Sequence, residues 1–193
     1  MYDFIQGKLV EKNPAFAVVE TGGIGYLLNI SIHTYAQLKE ETCKLFVHLV
    51  VREDDMQLFG FAGQEERELF RQLISVSGVG VNTARIILSS LSPQEVYEAI
   101  ARGDAPVLQR VKGIGGKTAQ RIIIDLKDKV SKGTVSHENL GFPHNTRQEE
   151  ALSGLIILGF PKMIAEKALN KVIIREGSGL TVEELIKHAL KIL

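Results

Sequence analysis

Two glycine pairs, Gly78 with Gly80 and Gly113 with Gly115, stand where one apolar-patterned stretch stops and the next begins. Glycine permits positive φ and lets another backbone come close. The amides that open a following helix have no intrahelical acceptor and lie at the positive end of its dipole, so they suit a phosphate oxygen. Basic side chains gather at the second pair: from Ala105 to Ile124 there are four, Arg110, Lys112, Lys117 and Arg121, and no acidic one. A different chemistry is offered by the consecutive carboxylates Glu53, Asp54 and Asp55, which can repel phosphates by charge alone, without proton transfer. Taken singly, a glycine pair is also what a tight helix-helix turn needs, and a solvated β-turn is the plainer account of three carboxylates.

Nucleotide and metal sites are not indicated. Gly116-Lys117-Thr118 followed by Ile122 to Asp125 imitates a phosphate-binding loop and its strand. The first glycine of that motif would have to be residue 111, which is valine, and the isoleucine run continues a helix. Gly78-Val79-Gly80 lacks the third glycine of a dinucleotide fingerprint, because residue 83 is Thr83. The histidines at 33, 48, 137, 144 and 188 show no ligand spacing, and one cysteine, Cys43, cannot build a zinc site. The expectation is no metal and no cofactor.

The decisive feature is a repeat. Residues 74–91 over 109–126 give seven identities in eighteen positions at a constant offset of 35, among them both glycines of each pair, Thr83 over Thr118 and Ala84 over Ala119. Each copy reads as helix, apolar-Gly-apolar-Gly turn, helix. Two such turns related by pseudo-symmetry match the two strands of a duplex across its minor groove and recognise backbone shape rather than base sequence.

The elements that must carry these sites follow from periodicity. About five short β-patterned stretches precede residue 63: Tyr2 and Phe4, Ala17 to Val19, Gly25 to Ile30, Leu45 to Val51, and Met56 to Phe61. They suit a small closed barrel of OB type, with a loop or short helix around residues 39–41. Tyr2, Tyr26, Phe46 and Phe59 are either base-stacking platforms or core, and core is preferred in a barrel without tryptophan. Residues 64–130 turn helical, with Ser92, Pro93 and Glu95 marking one helix start. Residues 131–146 show no period and read as a flexible linker. Three helical patterns then run over 148–158, 161–174 and 181–193, a bundle small enough that some apolar residues must stay exposed.

Bulk charge excludes a polybasic protein: 193 residues hold 23 Lys and Arg against 23 Asp and Glu. The charges are unevenly placed, with 5 basic and 8 acidic in residues 1–64, 10 and 8 in 65–130, and 8 and 7 in 131–193. The start MYDFIQGKLVEK has no basic segment leading into an apolar run. With a single cysteine, this predicts a cytoplasmic protein without membrane attachment.

The order of parts resembles one family. A barrel carrying VVREDDMQLFGF at 50–61, hairpins GVG and GIG, a polar linker, and a small bundle with LGF at 158–160 together look like RuvA, the Holliday-junction-binding subunit of the RuvAB branch-migration machine. The resemblance covers essentially the whole chain and implies an α+β, multi-domain architecture. Its parts are an OB-fold barrel (1–63), a tandem helix-hairpin-helix domain (64–130), a linker (131–146) and a three-helix, UBA-like bundle (147–193). It implies a non-catalytic DNA-binding subunit: a homotetramer, alone or as two tetramers enclosing the junction, that holds four-way junction DNA open. It further implies recruitment of the RuvB hexameric ATPase in recombination and repair, with the RuvC resolvase as a further partner.

Residue by residue, the resemblance puts DNA contacts on Gly78, Val79, Gly80, Asn82 and Thr83 of the first hairpin. The second contributes Arg110, Lys112, Gly113, Ile114, Gly115, Gly116, Lys117, Thr118 and Arg121. Glu53 and Asp54, joined by Asp55, match the acidic pin at the centre of the RuvA tetramer. Leu155, Leu158, Phe160 and Leu190 fall on the RuvB-facing surface, though periodicity alone reads them equally as core. Where RuvA proteins often carry lysines, this sequence has Asn82 and Gly116, which leaves more of the binding to backbone amides and to the four bases of the second hairpin. A helix-hairpin-helix glycosylase or nuclease is the competing reading, and it would need a base pocket with a positioned acid. A pure protein-interaction scaffold is a third, and it predicts no salt-dependent DNA affinity.

Overall fold

Five strands rich in β-branched and aromatic residues build the N-terminal part: β1 (Phe4–Lys12), β2 (Phe16–Thr21), β3 (Ile24–Ile30), β4 (Thr42–Val51) and β5 (Met56–Phe61). The computed structural model describes residues 2–39, 41–133, 146–177 and 179–193, those at 128–133 and 146 by their backbone alone. The strands close into a barrel in the order β1-β2-β3-β5-β4. Pairing of β3 with β5 is parallel, and Phe4 opposite Phe46 begins the antiparallel seam between β1 and β4. Inside lie Ile5, Ala17, Val19, Leu28, Ile30, Leu38, Leu45 and Val47, an almost wholly aliphatic core.

That core corrects the expectation for the aromatics. Tyr2 is 50% exposed and Phe46 is half-buried, whereas Tyr26, also half-buried, packs against the barrel core as expected. Phe59 is buried, but on the other face of β5, where it and Phe61 each lie 5.0 Å from the ring of Phe70 in the helical layer. Strand β5 thus serves two cores, because side chains alternate between the faces of a strand.

Around 39–41, expected as a loop or short helix, the described residues Lys39 and Glu41 are not helical, and a short helix, α1 (Ile32–Gln37), lies just before them. Ser31 caps it, accepting from the amide of Thr34. It shows no apolar period because it is held by polar bonds: both hydroxyls, of Ser31 and of Thr34, donate to the carboxylate of Glu66.

Five helices follow: α2 (Gln64–Ile74), α3 (Val81–Ser90), α4 (Pro93–Arg102), α5 (Ala105–Gln109) and α6 (Gly116–Gly133). Ser92 and Glu95 form the capping box of α4, and Gly103, at φ +73°, ends it. The core joins Phe59 and Phe61 to Leu69, Phe70 and Leu73 of α2 and to Ile87, Leu88, Ile100, Ile122 and Leu126. Barrel and helices are also bonded directly, through Arg67 to Asp3 at 2.6 Å and the amide of Ile32 to the Ser89 hydroxyl at 3.1 Å. They form one compact unit, residues 1–135.

The second unit, residues 136–193, contains α7 (Thr146–Ile157), α8 (Lys162–Glu176) and α9 (Val182–Leu190). Ala151, Leu155, Ala165, Ala168, Leu169, Val172, Leu185 and Ala189 fill its interior. Small residues let the helices approach closely: a Cβ on Gly154 would stand 2.9 Å from Cδ1 of Ile186. Thr181 and Glu184 cap α9 as their spacing predicts, although the helix stops at Leu190 rather than running to 193. Of the stretch expected as a linker, residues 131–133 continue α6 and Thr146 opens α7. Residues 134–145 lie outside the described residues.

Candidate nucleic-acid interface

The two hairpins are near-copies in geometry as well as in sequence. Gly78 and Gly113 take φ of +88° and +92°, left-handed values that a side chain strains to adopt. The next amide bonds back three residues in both, Val79 to the Val76 carbonyl and Ile114 to the Val111 carbonyl, at 3.0 Å. Each second helix then opens with a bond to a glycine carbonyl, Ala84 to Gly80 at 2.9 Å and Ala119 to Gly115 at 3.0 Å.

Val79 and Ile114 require a correction as contact residues. Their side chains are 5% and 6% exposed and their amides are used within the turn, so they anchor the hairpins rather than meet a partner. What faces outward is Gly78, Gly80 and Asn82 in the first copy, and Gly113, Gly115, Gly116 and Lys117 in the second, with Thr83 and Thr118 half-buried beside them. Arg110, Lys112 and Arg121 are exposed as well.

Gly80 and Gly115 are informative because the fold does not need them. Neither has positive φ, and a Cβ built on either meets nothing within 4 Å. A glycine without a conformational or packing reason inside the chain fits close approach by something outside it. The amides of the first turn of α3 and of α6 point the same way, lacking acceptors in their own helices.

The hairpins also lie beside one another. A cleft of about 450 Å³ is lined by Ser77 and Gly78 of the first and by Lys117, Thr118 and Arg121 of the second. Nη1 of Arg121 reaches the Ser77 carbonyl and hydroxyl, both at 3.4 Å. Gln120, Ile124 and Asp125 complete the lining, so the cleft is mixed in character, with two bases, one carboxylate and the first turn of α6 at its edge.

The three carboxylates sit at the tip of the β4–β5 hairpin, all exposed. The Arg52 amide donates to the Asp55 carbonyl at 2.8 Å, which makes Glu53 and Asp54 the central residues of a tight turn. Asp55 also accepts from Nε2 of Gln57 at 2.6 Å, so it belongs partly to the turn itself. Among the described residues, no group of three or more His, Cys, Asp or Glu is placed to hold a metal.

The C-terminal candidates divide. Leu155 is fully buried in the core and has no surface to offer, which corrects its expected role. Phe160 is half-buried against the same core, whereas Leu158 is 60% exposed and Leu190 42% exposed. Ile157, Met163 and Ile164 are exposed apolar residues near Leu158 in sequence that periodicity did not single out. The sequence reading also missed Arg85, whose position in the repeat corresponds to Gln120 and carries no signal of its own.

A closed barrel fused to a duplicated Gly-x-Gly hairpin defines a tandem helix-hairpin-helix protein, and the family comparisons agree part by part. Residues 1–60 match the RuvA N terminal domain, 70–128 the SAM-like helix-hairpin-helix tandem, and 146–193 the RuvA C-terminal domain. The chain is 52% identical over 192 residues to a protein of Christiangramia forsetii, with 99% of each chain covered. It is 48% identical over 197 residues to one of Cytophaga hutchinsonii, again with 99% of each covered. A third, from Azobacteroides pseudotrichonymphae, is 47% identical over 196 residues, with all of each chain covered. All three are named Holliday junction branch migration complex subunit RuvA. The chain belongs to the RuvA family.

Proposed function

We propose that this chain is the junction-binding subunit of a branch-migration complex: it recognises four-way DNA, holds it open, and recruits a separate ATP-driven motor, the RuvB hexamer. The observation that carries the reading is the pair Gly80 and Gly115, which lack a side chain where the fold has room for one. In each hairpin that bare glycine stands before a helix N-terminus, so a phosphate can approach the free amides closely. Backbone amides read shape and charge rather than base identity, as a protein acting on junctions of any sequence requires.

The acidic turn supports the second half of the proposal. Four copies in a homotetramer would gather their Glu53 and Asp54 carboxylates at the crossover, where they repel phosphates and keep continuous duplex out. The chain itself carries out no bond chemistry in this reading, and the motor's ATPase resides in the partner. Docking of that motor falls to Leu158, Phe160 and Leu190 at the surface of the C-terminal bundle. Tethering the bundle to the DNA-bound part would raise the effective concentration of the motor at the junction.

A titration of a synthetic four-way junction against linear duplex of the same arm sequence, at two salt concentrations and with the mass of the complex in parallel, tests this. Strong preference for the junction by a species of four or eight subunits is expected. Equal, weak binding by a monomer would overturn the proposal, and strand cleavage or base release by the protein alone would favour a repair enzyme.

A further inference from the structure

The two hairpins, alike in their turns, differ in what lies behind them. In the first copy, residues 74–91, the only charged side chain is Arg85; its counterpart in the second copy is Gln120. Arg85 is half-buried and turned onto the barrel: Nη1 donates to the Ala15 carbonyl at 3.2 Å and to Oδ1 of Asn29 at 3.1 Å. Asn29 passes the connection on, because its Nδ2 donates to the Leu58 carbonyl of β5 at 3.3 Å. Strand β5 begins at Met56, immediately after the acidic turn. Three polar groups thus join the helix of the first hairpin to the strand that carries the carboxylates. At the equivalent places on the second hairpin's helix, Gln120 and Ile124 are both exposed, Ile124 at 74%.

We infer that Arg85 is a positioning residue, which through Asn29 fixes the first hairpin at a set distance from the acidic turn and so makes the spacing between bound phosphate and crossover part of junction recognition. The inference rests on the proposed function and adds a division of labour to it. The first hairpin, with no base of its own facing out, gauges distance. The second, with Arg110, Lys112, Lys117 and Arg121, supplies the electrostatic attraction. A linear duplex engages the hairpins without engaging the acidic turn, so it is indifferent to that spacing; a four-way junction engages both.

The test uses the full chain, with Arg85→Gln and, on the other side of the bond, Asn29→Ala. For each, thermal stability and mass are recorded, then affinity for junction and for linear duplex as a function of salt. Both variants are expected to lower the junction-to-duplex ratio about tenfold, a loss of about 1.4 kcal/mol, while duplex affinity and its salt slope stay unchanged. Arg85→Lys, which keeps the charge and one bond, should recover part of the ratio. An unchanged ratio in both variants would overturn the inference. So would a parallel fall on both DNAs with the slope reduced by about one, since that marks a direct phosphate contact. Failure of the unsubstituted chain to prefer junctions would instead remove the proposed function, and this inference with it.

Discussion

Val79 and Ile114 are structural equivalents 35 residues apart: each is buried beneath its hairpin, and each closes the turn by an amide bond of 3.0 Å to the carbonyl three residues before. With the middle residue pinned inward, the glycines on both sides are held outward. The anchoring residue of the motif is therefore distinct from the glycines proposed to bind, although all three are contiguous in sequence.

Asparagine at positions 80 and 115 should separate binding from folding. Gly80 precedes α3 with φ −81° and ψ 167°, an extended conformation open to any residue, and a Cβ there meets nothing. An asparagine is a good N-cap whose side-chain oxygen turns back onto the first free amides. Those are the amides assigned to phosphate. Gly80→Asn and Gly115→Asn should therefore melt at or above the wild-type temperature yet lose junction affinity by at least about tenfold, the worth of one or two charge-assisted hydrogen bonds. Gly78→Ala and Gly113→Ala should show the converse, losing about 1 kcal/mol of stability each at left-handed φ. Melting curves beside gel shifts decide the matter, and undiminished binding by the double asparagine variant would take the hairpins out of the mechanism.

Neutralising the tip of the acidic turn should act on selectivity rather than on affinity as such. Glu53 and Asp54 are exposed at the centre of the turn, so Glu53→Gln with Asp54→Asn leaves its backbone bond from Arg52 to Asp55 in place. Removing the repulsion should raise affinity for linear duplex and bring it towards that for the junction. The measurement is the ratio of the two dissociation constants at low salt, where repulsion is least screened. An unchanged ratio would count against any role for the turn.

Much of this architecture was legible beforehand because it rests on short-range rules. The strand runs, the Ser92 and Thr181 capping boxes and the repeated glycines all act within a few residues of themselves. What escaped depends on contacts distant in sequence. Helix α1 is held by Glu66, 32 residues beyond Thr34, and Arg85 donates to Asn29, 56 residues away. Phe59 was expected in a core, yet which of two cores depends on where α2 packs. Leu155 and Leu158 show the limit of periodicity: both fit an apolar pattern, and only the packed bundle separates the buried one from the exposed one.

Glu66 gives a pH prediction with a definite sign. Burial raises its pKa above the ordinary 4.5, against the lowering effect of the bonds from Ser31 and Thr34. A carboxyl with a raised folded pKa contributes stability that is fully present below its unfolded pKa and lost as pH rises through the folded value. Glu66→Gln can still bond the two hydroxyls but has no charge to bury. Its melting temperature relative to wild type should therefore be higher at pH 7 than at pH 4, the gap opening as pH rises from about 4.5. Glu95 and Glu184 behave oppositely: their capping bonds hold both pKa values down, so what they contribute is lost as pH falls. That acid-side loss should persist in Glu66→Gln, and a gap that is constant between pH 4 and 7 would refute the assignment to Glu66.

In the C-terminal bundle, Leu155→Ala and Leu158→Ala should have unlike consequences. The first empties a fully buried site and should cost about 2–5 kcal/mol, enough to unfold so small a bundle. The second alters a side chain that is 60% exposed and should change stability by no more than about 0.5 kcal/mol. If Leu158 lies on the motor-docking surface, its variant keeps full helicity by circular dichroism and full junction affinity while losing stimulation of the ATPase partner. Loss of stimulation without loss of helicity would separate docking from folding, and normal stimulation would move the docking surface elsewhere.

Lys112 and Lys117 should govern the salt dependence of binding, because both are exposed on the charged hairpin while the first hairpin offers Ser77 and Asn82 at the matching positions. Each lysine that neutralises a phosphate releases counterions on binding, so replacing one by glutamine should flatten the slope of log affinity against log salt by about 0.9. Substituting Asn82 by lysine should steepen the slope by a similar amount and raise affinity at low salt, giving the first hairpin the charge it lacks. Linear duplex is the right substrate for this comparison, since it isolates the hairpins from the acidic turn. Slopes unaffected by either change would mean that these side chains stay in water and leave the contact to the backbone amides with Arg110 and Arg121.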